Sequence, residues 1–278
     1  MKFGGIADLC SEEPELPKEG YRGLLTDVHV HSTNHDRPDD FARQLLREMN
    51  EEGVDRVVVQ PNHGLGNSPR DMTNLDQLWG EISTICPRII TLLYGFDPDA
   101  ADAALYVARG LASEHFGGVG ELEFQHSKMD LAHDPESVGM RSIYGILEKR
   151  GQPLHFQADL PRRPALEAQL RRVATEHSRL NFLWFGNNQP EPWLDLPNVW
   201  FNVFVHMDAW RPPPGVVGKA LIGSDAAPTG FWNPGTPALP YENFAEAMRQ
   251  ARAALTRLPI TEADPLAHGN FDRLWPKH

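Results

Sequence analysis

Apolar runs of strand length alternate with amphipathic helical stripes along most of the chain. The strand-like runs cover residues 23–31, 55–60, 88–94, 118–123, 153–157, 180–185, 198–204 and 220–224. Between them, Phe41, Leu45, Leu46 and Met49 recur at helical spacing before Gly53, and Leu75, Leu78, Ile82 and Ile85 repeat the pattern. Further stripes run through Ala104, Val107, Ala108 and Leu111, through Ile143, Ile146 and Leu147 up to Gly151, from Leu166 to Val173, and through Phe244, Met248 and Leu255. The proline-rich stretch 189–197 leaves little room for a helix between the sixth and seventh strands. Strands that alternate with helices in this way predict an α/β fold, a single-domain (β/α)8 TIM-type barrel over residues 21–278 after a polar leader, residues 1–20. No Gly-x-Gly-x-x-Gly follows the first strand, so nothing supports a dinucleotide site on an open sheet.

Chemistry in such barrels gathers at the carboxyl ends of the strands. The first strand ends in His29 and His31, spaced i, i+2. In an extended chain these project to one face, where two imidazoles can hold a divalent cation. Glu121, His155 and Asp225 fall at or just past the ends of the fourth, fifth and eighth strands. Groups of metal-ligand type therefore collect at one mouth, where chance would scatter them over both ends.

Composition narrows the partners. At 278 residues, 41% hydrophobic and 23% charged, the chain has the make-up of an ordinary globular domain. A formal net charge of -12 speaks against a nucleic-acid backbone or an anionic membrane surface as partner. There is no apolar run of about 18 residues and no signal-type apolar core. The two cysteines, Cys10 and Cys86, are too few for a disulfide framework and read as reduced thiols of a cytoplasmic protein. The expected partner is a small-molecule substrate, and the hydrophobic content leaves room for a homo-oligomeric interface.

Taken in order, the motifs resemble the metal-dependent amidohydrolase superfamily, especially its amidohydrolase-2-like branch of hydrolases, lactonases and decarboxylases. The resemblance runs from Leu24 to Trp275. It rests on Asp27-Val28-His29-Val30-His31, Gly117-Gly118-Val119-Gly120-Glu121, Pro153-Leu154-His155, Leu221-Ile222-Gly223-Ser224-Asp225 and Gly269-Asn270-Phe271-Asp272-Arg273-Leu274. It implies that His29, His31 and His155 bind a divalent metal, while Asp225 binds it or activates its water. The Gly-x-Gly-Glu run is similar to the strand-four glutamate of TatD-like deoxyribonucleases, which implies Glu121 as a further ligand; Glu123 shares its strand parity. One departure stands out: the strand-six histidine of the family has no counterpart in Leu183-Trp184-Phe185-Gly186-Asn187-Asn188, which implies one metal ion rather than two. His206, after the seventh strand, is the candidate substitute.

Asn62, His63, His206 and Arg211 are the candidates to contact substrate. The resemblance implies a hydrolase with one zinc ion, manganese or iron being the alternatives. It would cleave an amide, lactone or other ester bond of a small molecule with metal-activated water, Asp225 moving the proton. A metal-dependent decarboxylase of the same branch needs the same ligands, and a barrel that binds a ligand without catalysis is the third reading.

Overall fold

The computed structural model describes residues 3–32, 37–61, 69–125, 133–158, 164–185, 193–203, 211–212, 215–228 and 243–275. Eight parallel strands pair in chain order: β1 (Leu25–Ser32), β2 (Val54–Pro61), β3 (Ile89–Leu93), β4 (Phe116–Gln125), β5 (Leu154–Ala158), β6 (Phe182–Phe185), β7 (Val199–Val203) and β8 (Ala220–Ile222). The ring closes just past β8. There the Asp225 N–H donates to the His29 carbonyl (2.8 Å) and the His31 N–H to the Ala226 carbonyl (2.9 Å). This is the (β/α)8 barrel expected from the alternation of strands and helices.

A short leader helix, α1 (Ile6–Ser11), precedes β1. Helices α2 (Pro38–Glu51), α3 (Pro69–Ile85), α4 (Ala103–Ala112), α5 (Val138–Arg150) and α6 (Pro164–Glu176) follow β1 to β5, and α7 (Phe244–Thr256) follows β8. The stripe Phe41, Leu45, Leu46 and Met49 on α2 is wholly buried. Past α2 and α5, Gly53 and Gly151 adopt φ of 69° and 67°, the left-handed turn that ends a helix at little cost without a side chain. No helix joins β6 to β7 among the described residues, and β8 is entered through a 3-10 turn, Val217–Lys219.

Burial falls into two layers. Outside the strands, Val57, Trp79, Leu122 and Phe156 pack in one large cluster with the helices. Inside the ring, Val28, Val58, Leu92, Leu183, Trp200 and Leu221 form a separate cluster with Phe271, Leu274 and Trp275. Those last residues belong to the chain end, which runs through α8 (Ile260–Asp264), a π-helical turn (Pro265–Gly269) and α9 (Asn270–Leu274). Asn270 donates to the carbonyls of Val217 and Ala220, both at 2.7 Å, and Trp275 Nε1 donates to the Gly117 carbonyl at 3.0 Å. All three acceptors lie at the amino ends of β4 and β8. The Gly-Asn-x-x-Arg-Leu segment is therefore the floor of the barrel, at the end opposite the candidate ligands.

Cys10 and Cys86 are joined in a disulfide, with Cα atoms 5.6 Å apart across a sequence separation of 76. This corrects the expectation of reduced thiols: packing of α1 against α2 and α3 brings together residues that look unrelated in the sequence. Among the described residues, no helix is long and apolar enough to cross a membrane.

Candidate metal centre

The centre begins with an irregularity in β1. Its pairing with β2 shifts register between Asp27 and Val30. Val28 lies in the inner cluster, yet the next residue, His29, also faces the barrel interior. His29 meets Glu121 of β4, Phe185 of β6 and Asn202 of β7 there. A bulge allows two consecutive residues to share a side. Asp27, fully buried, holds this one: its Oδ1 accepts the N–H of His29 (2.8 Å) and of Ser224 (3.0 Å). Burial pushes the Asp27 carboxyl up to about 6, against the pull of those hydrogen bonds. The i, i+2 spacing correctly put His29 and His31 on one side, although the bulge is what turns His29 inward.

Four side chains converge above it. Nε2 of His29 lies 3.0 Å from Nε2 of His31, 3.2 Å from Glu121 Oε2 and 3.6 Å from Asp225 Oδ1. His31 Nε2 lies 2.8 Å from Asp225 Oδ1 and 3.8 Å from Glu121 Oε2. Donor atoms of His29, His31 and Glu121 all fall within 4.8 Å of one another. Burial alone would pull the His29 imidazole down, but the Glu121 and Asp225 carboxylates outweigh it and push it up to about 9. Asp225 is the wettest of the four, 38% exposed, with a φ of 53° that turns it into the mouth just after β8. Space is tight on the opposite wall. A Cβ at Gly120 would sit 2.4 Å from the His155 carbonyl, so only glycine lets β4 approach β5 beside Glu121.

These residues fit a divalent cation. Glu121 Oε1 is buried without a hydrogen-bond partner among the described residues. Two imidazoles and a carboxylate clustered around one point suit zinc, manganese or iron. In their absence such a cluster would hold its charge by ion pairing alone.

His155 stands apart. Its ring meets that of His29 edge-on at 4.8 Å, but it is not in the group of mutually close donors. Its Nδ1 lies in hydrogen-bond contact with Nε2 of Gln60, and that amide nitrogen donates to the Val28 carbonyl at 3.2 Å. Nε2 of His155 is buried without a partner among the described residues. Burial, then the neighbouring His29 and His31, holds its pKa well below the usual imidazole range. At the end of β6, where the family's histidine is missing, Phe185 stacks edge-on against His29 at 4.7 Å.

Gln60 and Asn202 were not read as site residues from the sequence. Asn202 places its amide 2.6 Å from His29 Nδ1. Each is a polar residue set against an apolar run, in Val57-Val58-Val59-Gln60 and Trp200-Phe201-Asn202-Val203, and that is the signal that marks them. Glu123 shares the face of Glu121 but lies outside the donor group. Arg211 is corrected: its guanidinium donates to the Arg257 carbonyl (3.0 Å), where α7 ends on the floor side, so it does not reach the mouth. Asn62, His63 and His206 lie outside the described residues. A second grouping, Asp97, Asp99 and His133, is a surface ion pair with a neighbouring acid rather than a buried centre.

No protein-family model and no curated protein sequence matches the chain. Solved structures do. 4-Oxalomesaconate hydratase from Rhodopseudomonas palustris superposes with a TM-score of 0.61 at 15% identity, over 91% of this chain and 96% of its own. A probable 2-pyrone-4,6-dicarboxylic acid hydrolase from Acinetobacter baumannii gives 0.59 at 14% identity, over 91% and 99%. 5-Carboxyvanillate decarboxylase from Novosphingobium aromaticivorans, complexed with manganese, gives 0.60 at 13% identity, over 96% and 99%. At such identities the fold is what is shared. The structural neighbours are amidohydrolase-2-type enzymes, a hydratase, a hydrolase and a decarboxylase among them, and this chain has their barrel, in keeping with the resemblance its motifs carry.

Proposed function

We propose that the chain is a divalent-metal-dependent enzyme that hydrolyses an amide, lactone or other ester bond of a small molecule. One observation carries the reading: His29, His31 and Glu121 converge at the carboxyl ends of the strands, with Asp225 2.8 Å from His31. His29, His31 and Glu121 would hold the ion, zinc first and manganese next, since neighbouring barrels carry manganese. A divalent ion bound there would polarise a carbonyl and bring the pKa of water down to about 7. Asp225, exposed to the mouth, is the group that takes the proton from the attacking water and returns it to the leaving group. The apolar inner cluster and its floor exclude water from below, so substrate enters from the Asp225 side.

A second reading, metal-dependent decarboxylation, is supported by the manganese-bound decarboxylases among the structural neighbours. Both readings need the same ion. The test is metal analysis of the purified protein together with a screen over lactones, amides, esters and aromatic acids. Stoichiometric metal, with turnover lost on chelation and restored by zinc or manganese, is the expected result. Release of carbon dioxide from an acid substrate would replace hydrolysis by decarboxylation. Protein that binds no divalent ion at all would leave the ligand-binding barrel.

A further inference from the structure

The two histidines that meet edge-on, His29 and His155, each face a buried amide at Nδ1, and the amides are not equivalent. A backbone carbonyl can only accept a hydrogen bond. The Gln60 atom 3.2 Å from the Val28 carbonyl must therefore be the NH2 group. Turning the amide over would set two oxygens against each other and strand two N–H donors. The same NH2 faces His155 Nδ1, which therefore accepts, and the ring carries its single proton on Nε2. A protonated Nε2 offers a metal no lone pair.

His29 is in the reverse situation. Its Nε2 sits among His31, Glu121 and Asp225, where a ligand lone pair is needed. Its proton then belongs on Nδ1, 2.6 Å from the Asn202 amide, whose oxygen otherwise has no partner among the described residues. With its carbonyl turned to the ring, Asn202 accepts that proton, as partners behind metal-bound histidines commonly do.

We propose that Gln60 and Asn202 set His155 and His29 in opposite tautomers, so that His29 is a metal ligand and His155 is a neutral hydrogen-bond donor. The Nε2–H of His155 serves an oxygen of the substrate, a carbonyl or carboxylate, beside the ion. A neutral imidazole N–H can polarise a carbonyl, and a fixed donor in a dry site strengthens as charge develops on that oxygen. The proposal rests on the metal-enzyme reading and deepens it: it gives β5 a donor beside the ion, and it requires a substrate with an oxygen acceptor.

Zinc titration of the metal-free protein tests it without knowledge of the substrate. Wild type and His155→Ala should each take up zinc with dissociation constants within about tenfold of one another, while His29→Ala should weaken by more than about 100-fold. Equal loss in His155→Ala and His29→Ala overturns the proposal. Long-range proton–nitrogen NMR of the wild type reads the tautomer even where a variant fails to fold. Protonated Nε2 on His155 is expected, and protonated Nδ1 overturns it. Gln60→Glu, which replaces the donor by an acceptor, should move the proton of His155 to Nδ1; an unchanged tautomer also overturns the proposal. Wild type that binds neither zinc nor manganese defeats the enzyme reading instead, and the tautomer of the metal-free protein still decides the role of Gln60.

Discussion

Asn202 occupies the space that a side chain at residue 223 would need: its amide reaches to within 1.7 Å of where a Cβ on Gly223 would be built. The glycine lets β7 pass its amide across to His29 next to β8. Gly223→Ala should therefore push Asn202 off His29 and weaken metal binding by about 10–100-fold, the usual penalty for losing such a partner. Asn202→Leu should give a similar loss. Metal titration of both variants checks this, and affinity unchanged in both would mean that the amide does not orient the ring.

Asp225 and His29 separate by their roles. His29→Asn should lose both metal and turnover. Asp225→Asn should keep most of the metal and lose turnover by about 10²–10⁴-fold, the range expected for removal of a general acid–base. Metal content and rate measured on one preparation distinguish them, and full activity in Asp225→Asn would remove that carboxylate from the chemistry.

Asp76, buried in α3, accepts the backbone N–H groups of Tyr94 and Gly95 and the Tyr106 hydroxyl. Burial nevertheless pushes its carboxyl up to about 7 from 3.8. A carboxyl with a raised pKa in the folded state binds a proton on folding, so its contribution is greatest below about pH 4. That contribution disappears as pH rises through about 7, with a span on the order of 4 kcal/mol. Denaturation midpoints should fall more steeply between pH 5 and pH 8 in the wild type than in Asp76→Asn. Parallel profiles would contradict this.

The barrel floor should matter for stability alone. Trp275 is buried and anchored to the Gly117 carbonyl. Trp275→Ala should cost about 3–5 kcal/mol, as large-to-small aromatic changes in cores do, while zinc affinity stays as in the wild type. Denaturation and titration together check it. A loss of affinity would tie the floor to the site.

The disulfide closes a long loop, so Cys10→Ser should lower stability by about 2–4 kcal/mol on the chain-entropy account. Reducing agent should destabilise the wild type by a similar amount and leave the variant unaffected. Equal melting with and without reductant would show that the cross-link adds little.

Much of this protein is legible from the sequence, because local physics writes it there. Hydrophobic periods mark eight strands and six helical stripes, and a parallel barrel places strand ends at one mouth, so His29, His31, Glu121, His155 and Asp225 could be grouped from the sequence. Only the tertiary structure decided how they are aimed. The bulge held by Asp27, the amides of Gln60 and Asn202 and the approach allowed by Gly223 join strands far apart in the chain, and no periodicity records a contact between β2 and β5 or between β1 and β7. For the same reason the Cys10–Cys86 bond and the turn of Arg211 away from the mouth are invisible in one dimension. A ligand set follows from which residues end the strands; a tautomer depends on what lies 3 Å behind the ring.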